Sequence, residues 1–262
     1  MSRLSQSSYT VVFAATVCVV CAVLVAGAAV ALRERQAVNA ELDRQKNVLM
    51  AAGEMRPDES LTPQEVTDRF SSFEPVAVDL ATDQEDSSFG VVGYDQRRAL
   101  GSPQTSFAAP AGNPAQIQRL PNKAVVYKKM GENGALDMLV LPIEGKGLWS
   151  TMYGFLALDA DLKTIRGLTF YQHGETPGLG GEIDNPRWKA LWPGREAYDE
   201  SGDPAIEVIR GRAGSPDADP HRIDGLSGAT ITGRGVQYTV NFWLGDDGFG
   251  PYLKALQEGG AR

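Results

Sequence analysis

Cysteine is absent from this chain after residue 21, and the two present, Cys18 and Cys21, lie inside one apolar run. The main body therefore has no disulfide framework, no thiol nucleophile and no cysteine metal site. The C-V-V-C spacing has no further ligands beside it and reads as small packing residues in a helix. Neither cysteine follows Gly, Ala or Ser, which argues against a lipoprotein. Histidine is almost as scarce, with only His173 and His221. Basic charge is also short: 25 Lys and Arg stand against 33 Asp and Glu, for a formal net charge of −8. That balance removes the basic surface with which proteins displace counterions from phosphates, and with it nucleic acid as a partner. No internal repeat or heptad array is present.

What is present begins with an uncharged stretch from Thr10 to Leu32. As a helix at about 1.5 Å per residue it spans roughly 30–35 Å, enough for a bilayer core. Ala26–Ala31 offers small residues for signal cleavage, but the run exceeds the usual h-region of roughly 7–15 residues and continues unbroken into a helix-compatible polar segment. These features favour an uncleaved anchor. Arg3 precedes the span, while Arg33, Arg35, Arg44 and Lys46 follow it. By the positive-inside rule this bias points to a cytoplasmic carboxyl side, although large translocated domains often override it.

Residues 33–53 read as a helical stalk with spaced apolar positions at Val38, Leu42, Val48 and Leu49. Thr62-Pro63-Gln64-Glu65 has the form of a capped helix start. Residues 82–122, rich in Asp, Ser, Gly, Pro and Gln, read as a surface excursion. Strands are expected at 123–130, 136–143, 153–158 and 165–171, the last two as a hairpin turning at 159–163. Asn185-Pro186-Arg187-Trp188 opens a short helix. A further strand is expected at 205–210 and a polar loop at 211–223. A helix from Gly233 carries Val236, Val240, Trp243 and Leu244 at helical spacing, and a last short helix covers 252–256. Strands joined by hairpins and then capped by helices predict an α+β fold with an antiparallel sheet flanked by helices.

Three glycine-containing loops carry the candidate chemistry. DGLSGATITG at 224–233 combines three glycines with the hydroxyls of Ser227, Thr230 and Thr232. GLSGA approximates a G-x-S-x-G nucleophile elbow, but Ala229 replaces the last glycine and no histidine follows Ser227, as the hydrolase order requires. Without a P-loop lysine the stretch does not support nucleotide triphosphate hydrolysis. Successive amides at a helix start still make an anion cradle, and a plain Ser/Thr helix cap is the competing reading. HGETPGLGGEIDNPRW at 173–188 contains Pro177-Gly178, a type II turn signature. There Thr176 offers a hydroxyl and Leu179 an apolar face. His173 and Glu175 lack a third metal ligand nearby and read as loop-holding residues. GKGLWS at 145–150 places Trp149 near Lys146. Together the loops suit a flat amphipathic cofactor with a phosphate. Spacing alone does not choose between Thr230 and Thr232.

The motifs D-G-L-S-G-A-T (224–230) and H-G-E-T-P-G-L-G (173–180) resemble the two signatures of covalent FMN-binding domains. That domain is shared by the C subunits of sodium-translocating NADH:quinone reductases and the G subunits of Rnf complexes. NAELDRQKNVL, YDQRRA, GKGLWSTMYGFLALD and PGLGGEIDNPRWKALWPGR are similar to the former, leaving the Rnf component as the alternative. The resemblance implies one FMN per chain, joined by its phosphate to Thr230 by a separate flavin transferase using FAD. The implied partners are the other subunits of a membrane reductase, to which this chain contributes electron transfer without being catalytically complete alone. The implied location is a bacterial inner membrane, with a single pass and a periplasmic domain. Within that frame the candidate cofactor-binding residues are Thr230, Ser227, Gly228, Ala229, Asp224, Thr176, Leu179, Glu175, Gly178, Trp149 and Lys146. Asp224 is expected to make an Asx-type bond within its turn, or to be read by the transferase. No catalytic or metal-ligating residue is expected. The expected organisation is a tail at 1–9, a transmembrane helix at 10–32, the stalk at 33–53 and an extracytoplasmic FMN-binding domain at 54–262.

Overall fold

A computed structural model describes residues 6–260; Arg3 of the charge count lies outside them. Helix α1 (Gln6–Ala51) begins the described chain. The chain divides into two compact units at Arg44 and Gln45, within that helix. In the first unit Val11, Val12, Val23, Leu24, Val25 and Val30 are all exposed. This is the one described helix long and apolar enough to cross a membrane. The Thr16 hydroxyl donates to the carbonyl of Val12 at 2.8 Å, so this polar group is satisfied within the apolar run.

The second unit starts with the end of α1, where Val48, Leu49 and Ala51 are fully buried. The compact body therefore begins ahead of Glu54. Helix α2 (Pro63–Phe70) starts as its sequence predicts: the Thr62 side chain accepts from the Glu65 amide and Glu65 bonds back, a capping box. Then follow β1 (Phe73–Asp79), β2 (Gln84–Glu85), α3 (Gln96–Ala99), β3 (Ser106–Ala108), β4 (Arg119–Pro121), β5 (Lys123–Met130), β6 (Leu136–Lys146), β7 (Thr151–Asp159) and β8 (Ile165–Gln172). A 3₁₀ turn at Gly180–Asp184 leads into α4 (Pro186–Lys189), β9 (Glu207–Val208), β10 (Arg222–Ile223), α5 (Thr230–Leu244) and α6 (Gly250–Gly260). The main sheet has six strands in the order β2-β1-β5-β6-β7-β8, antiparallel throughout. The expected α+β architecture is present.

Helix α5 lies on one face of this sheet. Its Val236, Val240, Trp243 and Leu244 pack into one core with Leu139, Leu141 and Ile143 of β6 and Leu156 and Leu158 of β7. The pleat sends the alternate residues to the other face. There Phe70, Tyr127, Phe155 and Tyr171 form a contiguous aromatic row, with ring centroids 5.2–5.9 Å apart. The Trp243 indole donates to the Glu144 carbonyl at 2.7 Å, tying α5 to β6.

Several elements differ from their sequence expectation. Helix α5 starts at Thr230, not Gly233, because the Gly233 amide already donates to the Ala229 carbonyl. The strand expected at 205–210 shrinks to two residues paired in parallel with β10. Its neighbouring backbone is held by α5 side chains instead: the Ile206 amide donates to Asn241 and the Val208 amide to Gln237. The last helix runs longer, over Gly250–Gly260. Strand β1 was not expected. It contains Pro75, which removes a ladder donor, and it lies beside the short edge strand β2.

At Gly145 β6 passes too close to α5 for a side chain, since a Cβ there would overlap the Thr239 hydroxyl. Gly145→Ala should cost about 1–3 kcal/mol through overpacking, read by chemical denaturation, and Thr239→Ala in the same chain should recover part of it. An unchanged midpoint in Gly145→Ala would show that this approach is not a constraint.

Candidate functional site

The motif at the start of α5 is a tight turn followed directly by a helix. The Ala229 amide donates to the Leu226 carbonyl at 3.1 Å, and Gly228 has φ +71°. A positive φ at the third position of a four-residue turn is the type II geometry that glycine accommodates. Ala229 is the N-cap, and no side chain caps the helix. Ser227 is exposed and does not act as the cap. The first-turn amides of a helix lack intrahelical partners and carry its positive dipole end, so this terminus presents an uncapped anion cradle. A cavity of about 280 Å³ opens on it, lined by Arg210, Gly211, Gly225, Ser227, Gly228 and Thr230 among others. Thr230 is exposed. Thr232, one of the two threonines left open by spacing, is fully buried, and its hydroxyl donates to Glu175 at 2.6 Å.

Glu175 is where the three glycine loops meet. Its carboxylate accepts from the amides of Leu148 (3.2 Å), Trp149 (2.9 Å) and Ser150 (3.3 Å) as well as from Thr232. The packing around it excludes side chains at the neighbouring glycines. A Cβ on Gly147 would lie 2.5 Å from a Glu175 oxygen, and one on Gly180 would lie 2.5 Å from the Thr232 hydroxyl. Burial raises the Glu175 pKa, but the Thr232 hydroxyl and the Trp149, Leu148 and Ser150 amides outweigh it and hold the carboxyl below its ordinary value. His173 braces the same loop: its Nδ1 accepts from the Glu175 amide, and its Nε2 meets Asp184 at 2.8 Å. His221 instead bonds the Glu196 carbonyl, so neither histidine hydrogen-bonds Ser227.

The second loop closes onto the first. Leu179 donates its amide to the Thr176 carbonyl, with Gly178 at φ +76°, which is the type II turn that Pro177-Gly178 predicts. A Cβ on Gly228 would come within 2.9 Å of the Leu179 side chain, so the turns of the two motifs touch. Leu179 is 44% exposed and Trp149 66%, and Thr176 is also exposed. Two expectations need correction. Asp224 makes no Asx-type bond within its own turn: its carboxylate accepts from the Ala213 amide at 2.8 Å, pinning a loop eleven residues away. Its carbonyl takes the Trp188 indole. Lys146 lines a different cleft with Glu144, because alternate residues of β6 face away from α5, and its Nζ donates to the Trp149 carbonyl. Sequence reasoning missed Arg210 and Gly211, which sat between an expected strand and an expected loop, and it missed the internal role of Thr232. Arg210 was legible only as the last residue of the expected strand at 205–210.

Residues 147–245, from the Trp149 loop through α5, match the family model described as FMN-binding domain. The fold and this match define the class: an FMN-binding domain behind a long N-terminal apolar helix. The C subunit of the Na(+)-translocating NADH-quinone reductase of Yersinia pestis is 46% identical over 97% of this chain and 94% of its own length. The Pseudomonas aeruginosa protein of the same name is 45% identical over the full length of both. The crystal structure of Shewanella oneidensis NqrC superposes with a TM-score of 0.75, at 38% identity, covering 84% of this chain and 99% of that one. The chain belongs to the family of C subunits of Na(+)-translocating NADH-quinone reductases.

Because the folded-state pKa of Glu175 is depressed, its ionised form stabilises the fold above the ordinary value of 4.5, and that contribution is lost as pH falls through the lower folded value. A Gln at this position cannot accept all four donors as a carboxylate does. Glu175→Gln should therefore cost about 2 kcal/mol at neutral pH, with the two proteins converging in acid. Equal stability at pH 7 would refute the clamp.

Proposed function

We propose that this chain is the membrane-anchored electron carrier of a sodium-translocating NADH:quinone reductase, and that it holds one FMN through a phosphoester to Thr230. The observation that carries this reading is the contrast between the two threonines. Thr230 is exposed at an uncapped helix N-terminus, whereas Thr232 is fully buried and donates its hydroxyl to Glu175. A phosphate on Thr230 Oγ1 meets unpartnered first-turn amides and the positive end of the helix dipole, and this supports the fit.

The cavity there, about 280 Å³, falls just below the roughly 300–1,000 Å³ typical of ligand sites. It suits the phosphate and sugar-alcohol end of the cofactor, with the ring outside. Leu179 and Trp149, apolar side chains left exposed, would offer contacts to the ring. Arg210 adds positive charge on the cavity wall, and Thr176 offers an exposed hydroxyl in the second loop. Ser227 and Gly228 keep the turn small enough for a transferase to reach the backbone. When bound, the flavin supplies reversible electron storage, and this chain's residues fix where it sits. Other reductase subunits pass electrons in and out, and a flavin transferase makes the bond.

We place the domain on the periplasmic side of the inner membrane, as the family resemblance implies and against the arginine count. Alkaline phosphatase fused after Arg262 should be active in cells, and an inactive fusion would reverse the orientation. Co-expression with a flavin transferase should add one FMN to the intact mass. Thr230→Val should abolish the adduct and Thr232→Val should keep it. Retention in the former with loss in the latter would move the site.

A further inference from the structure

A second cavity, larger than the one at Thr230, lies elsewhere in the structure. It is a cleft of about 740 Å³, walled by the excursion before β4 and by the ends of β6 and β7. Its volume is within the range typical of small-molecule sites. Arg119, Lys146, Gln116, Thr151 and Tyr153 line it, together with Glu144. Glu144 is only 7% exposed, and among the described residues its carboxylate has no hydrogen-bond partner. Burying an acid that forms no hydrogen bond is costly, and here only the charge of Arg97 offsets that cost; protonation, or a ligand entering the cleft, relieves the rest.

The cations facing the space also lack acids. Lys146 makes no ion pair among the described residues and donates only to the Trp149 carbonyl, at 3.3 Å. Arg119 is held by the hydroxyl and carbonyl of Ser106, which orient the guanidinium without neutralising it. Two oriented cations and one acid suit an anionic ligand that shares a proton with the acid. They do not suit a metal ion, which the cations would repel.

We propose that this cleft binds a small organic carboxylate, with Lys146 and Arg119 holding the anion and protonated Glu144 donating a hydrogen bond to it. Above neutrality the complex therefore takes up one proton as it forms. Burial pushes Glu144 up to about 7, opposed by Arg97, so the protonated donor becomes available near neutral pH. The other groups facing it do not supply that proton in its place. Arg97 of α3 lies over the Tyr153 ring at 4.3 Å. Tyr171 of β8 is pushed up to about 12 by burial. Tyr153, Arg119 and Lys146 complete the surroundings. The proposal is independent of where the flavin is attached.

The test is calorimetric titration of the detergent-solubilised full chain with succinate at constant ionic strength. Wild type should bind saturably at pH 6 and at least tenfold more weakly at pH 8. Glu144→Gln, a permanent neutral hydrogen-bond donor, should bind at pH 8 as wild type does at pH 6, a gain that misfolding cannot imitate. Lys146→Gln, with an unchanged thermal melt, should lose binding. The proposal is overturned if wild type shows no saturable binding at pH 6, if Glu144→Gln keeps the wild-type pH dependence, or if only an acidic peptide binds.

Discussion

The site depends on one carboxylate. Glu175 draws the β6–β7 loop, the segment after β8 and the first turn of α5 onto a common point through three amides and a hydroxyl. Each loop taken singly is a glycine turn with no reason to lie near the others. Fixed to the same carboxylate, the loops that carry Trp149, Leu179 and Thr230 are held together. A run of successive amides is an anion nest, here filled internally. The similar cradle at the α5 N-terminus is left uncapped and faces a cavity. The protein thus satisfies one anion site with its own side chain and leaves the other uncapped.

The same bond makes the two motif threonines different. Both lie in the first turn of α5, two residues apart, and helical geometry sends them in different directions. Thr232 points inward to complete the Glu175 clamp and is fully buried, while Thr230 faces solvent. Glycines on either side let the clamp close, because a Cβ at Gly147 or Gly180 would collide with it. The rigid backing is the β6–α5 layer, where Trp243 bonds the Glu144 carbonyl across the interface. That bond ties the helix to the strand whose alternate residues, Glu144 and Lys146, line the cleft on the other face.

Much of this was legible in the sequence. Alternation in β5 to β8, the capping box at Thr62 and the type II turn at Pro177-Gly178 are local signals, and the structure contains each of them. The antiparallel sheet followed from short hairpin connections. What failed was non-local. The segment at 205–210 has strand composition, yet side chains from α5 take its backbone bonds, and no window around it shows that. Asp224 reads as an Asx residue, but its partner is Ala213. Glu175 was recognisable as a loop-holding residue, while its partners from two other loops were not. Lys146 sits beside Trp149 in sequence, yet strand alternation carries it into another cleft. The choice of Thr230 came from family resemblance, and the burial of Thr232 gives it a physical basis.

The most direct test of this account locates the modification within one peptide. Trypsin should release Ile223–Arg234, which contains Ser227, Thr230 and Thr232. Fragmentation of that peptide from flavinylated protein should show the added mass appearing between Ala229 and Ile231 and nowhere else. Added mass on the Ile231–Arg234 fragments, or on those ending at Gly228, would contradict it, because the modified hydroxyl would then be one that the structure buries or one that lies before the helix start.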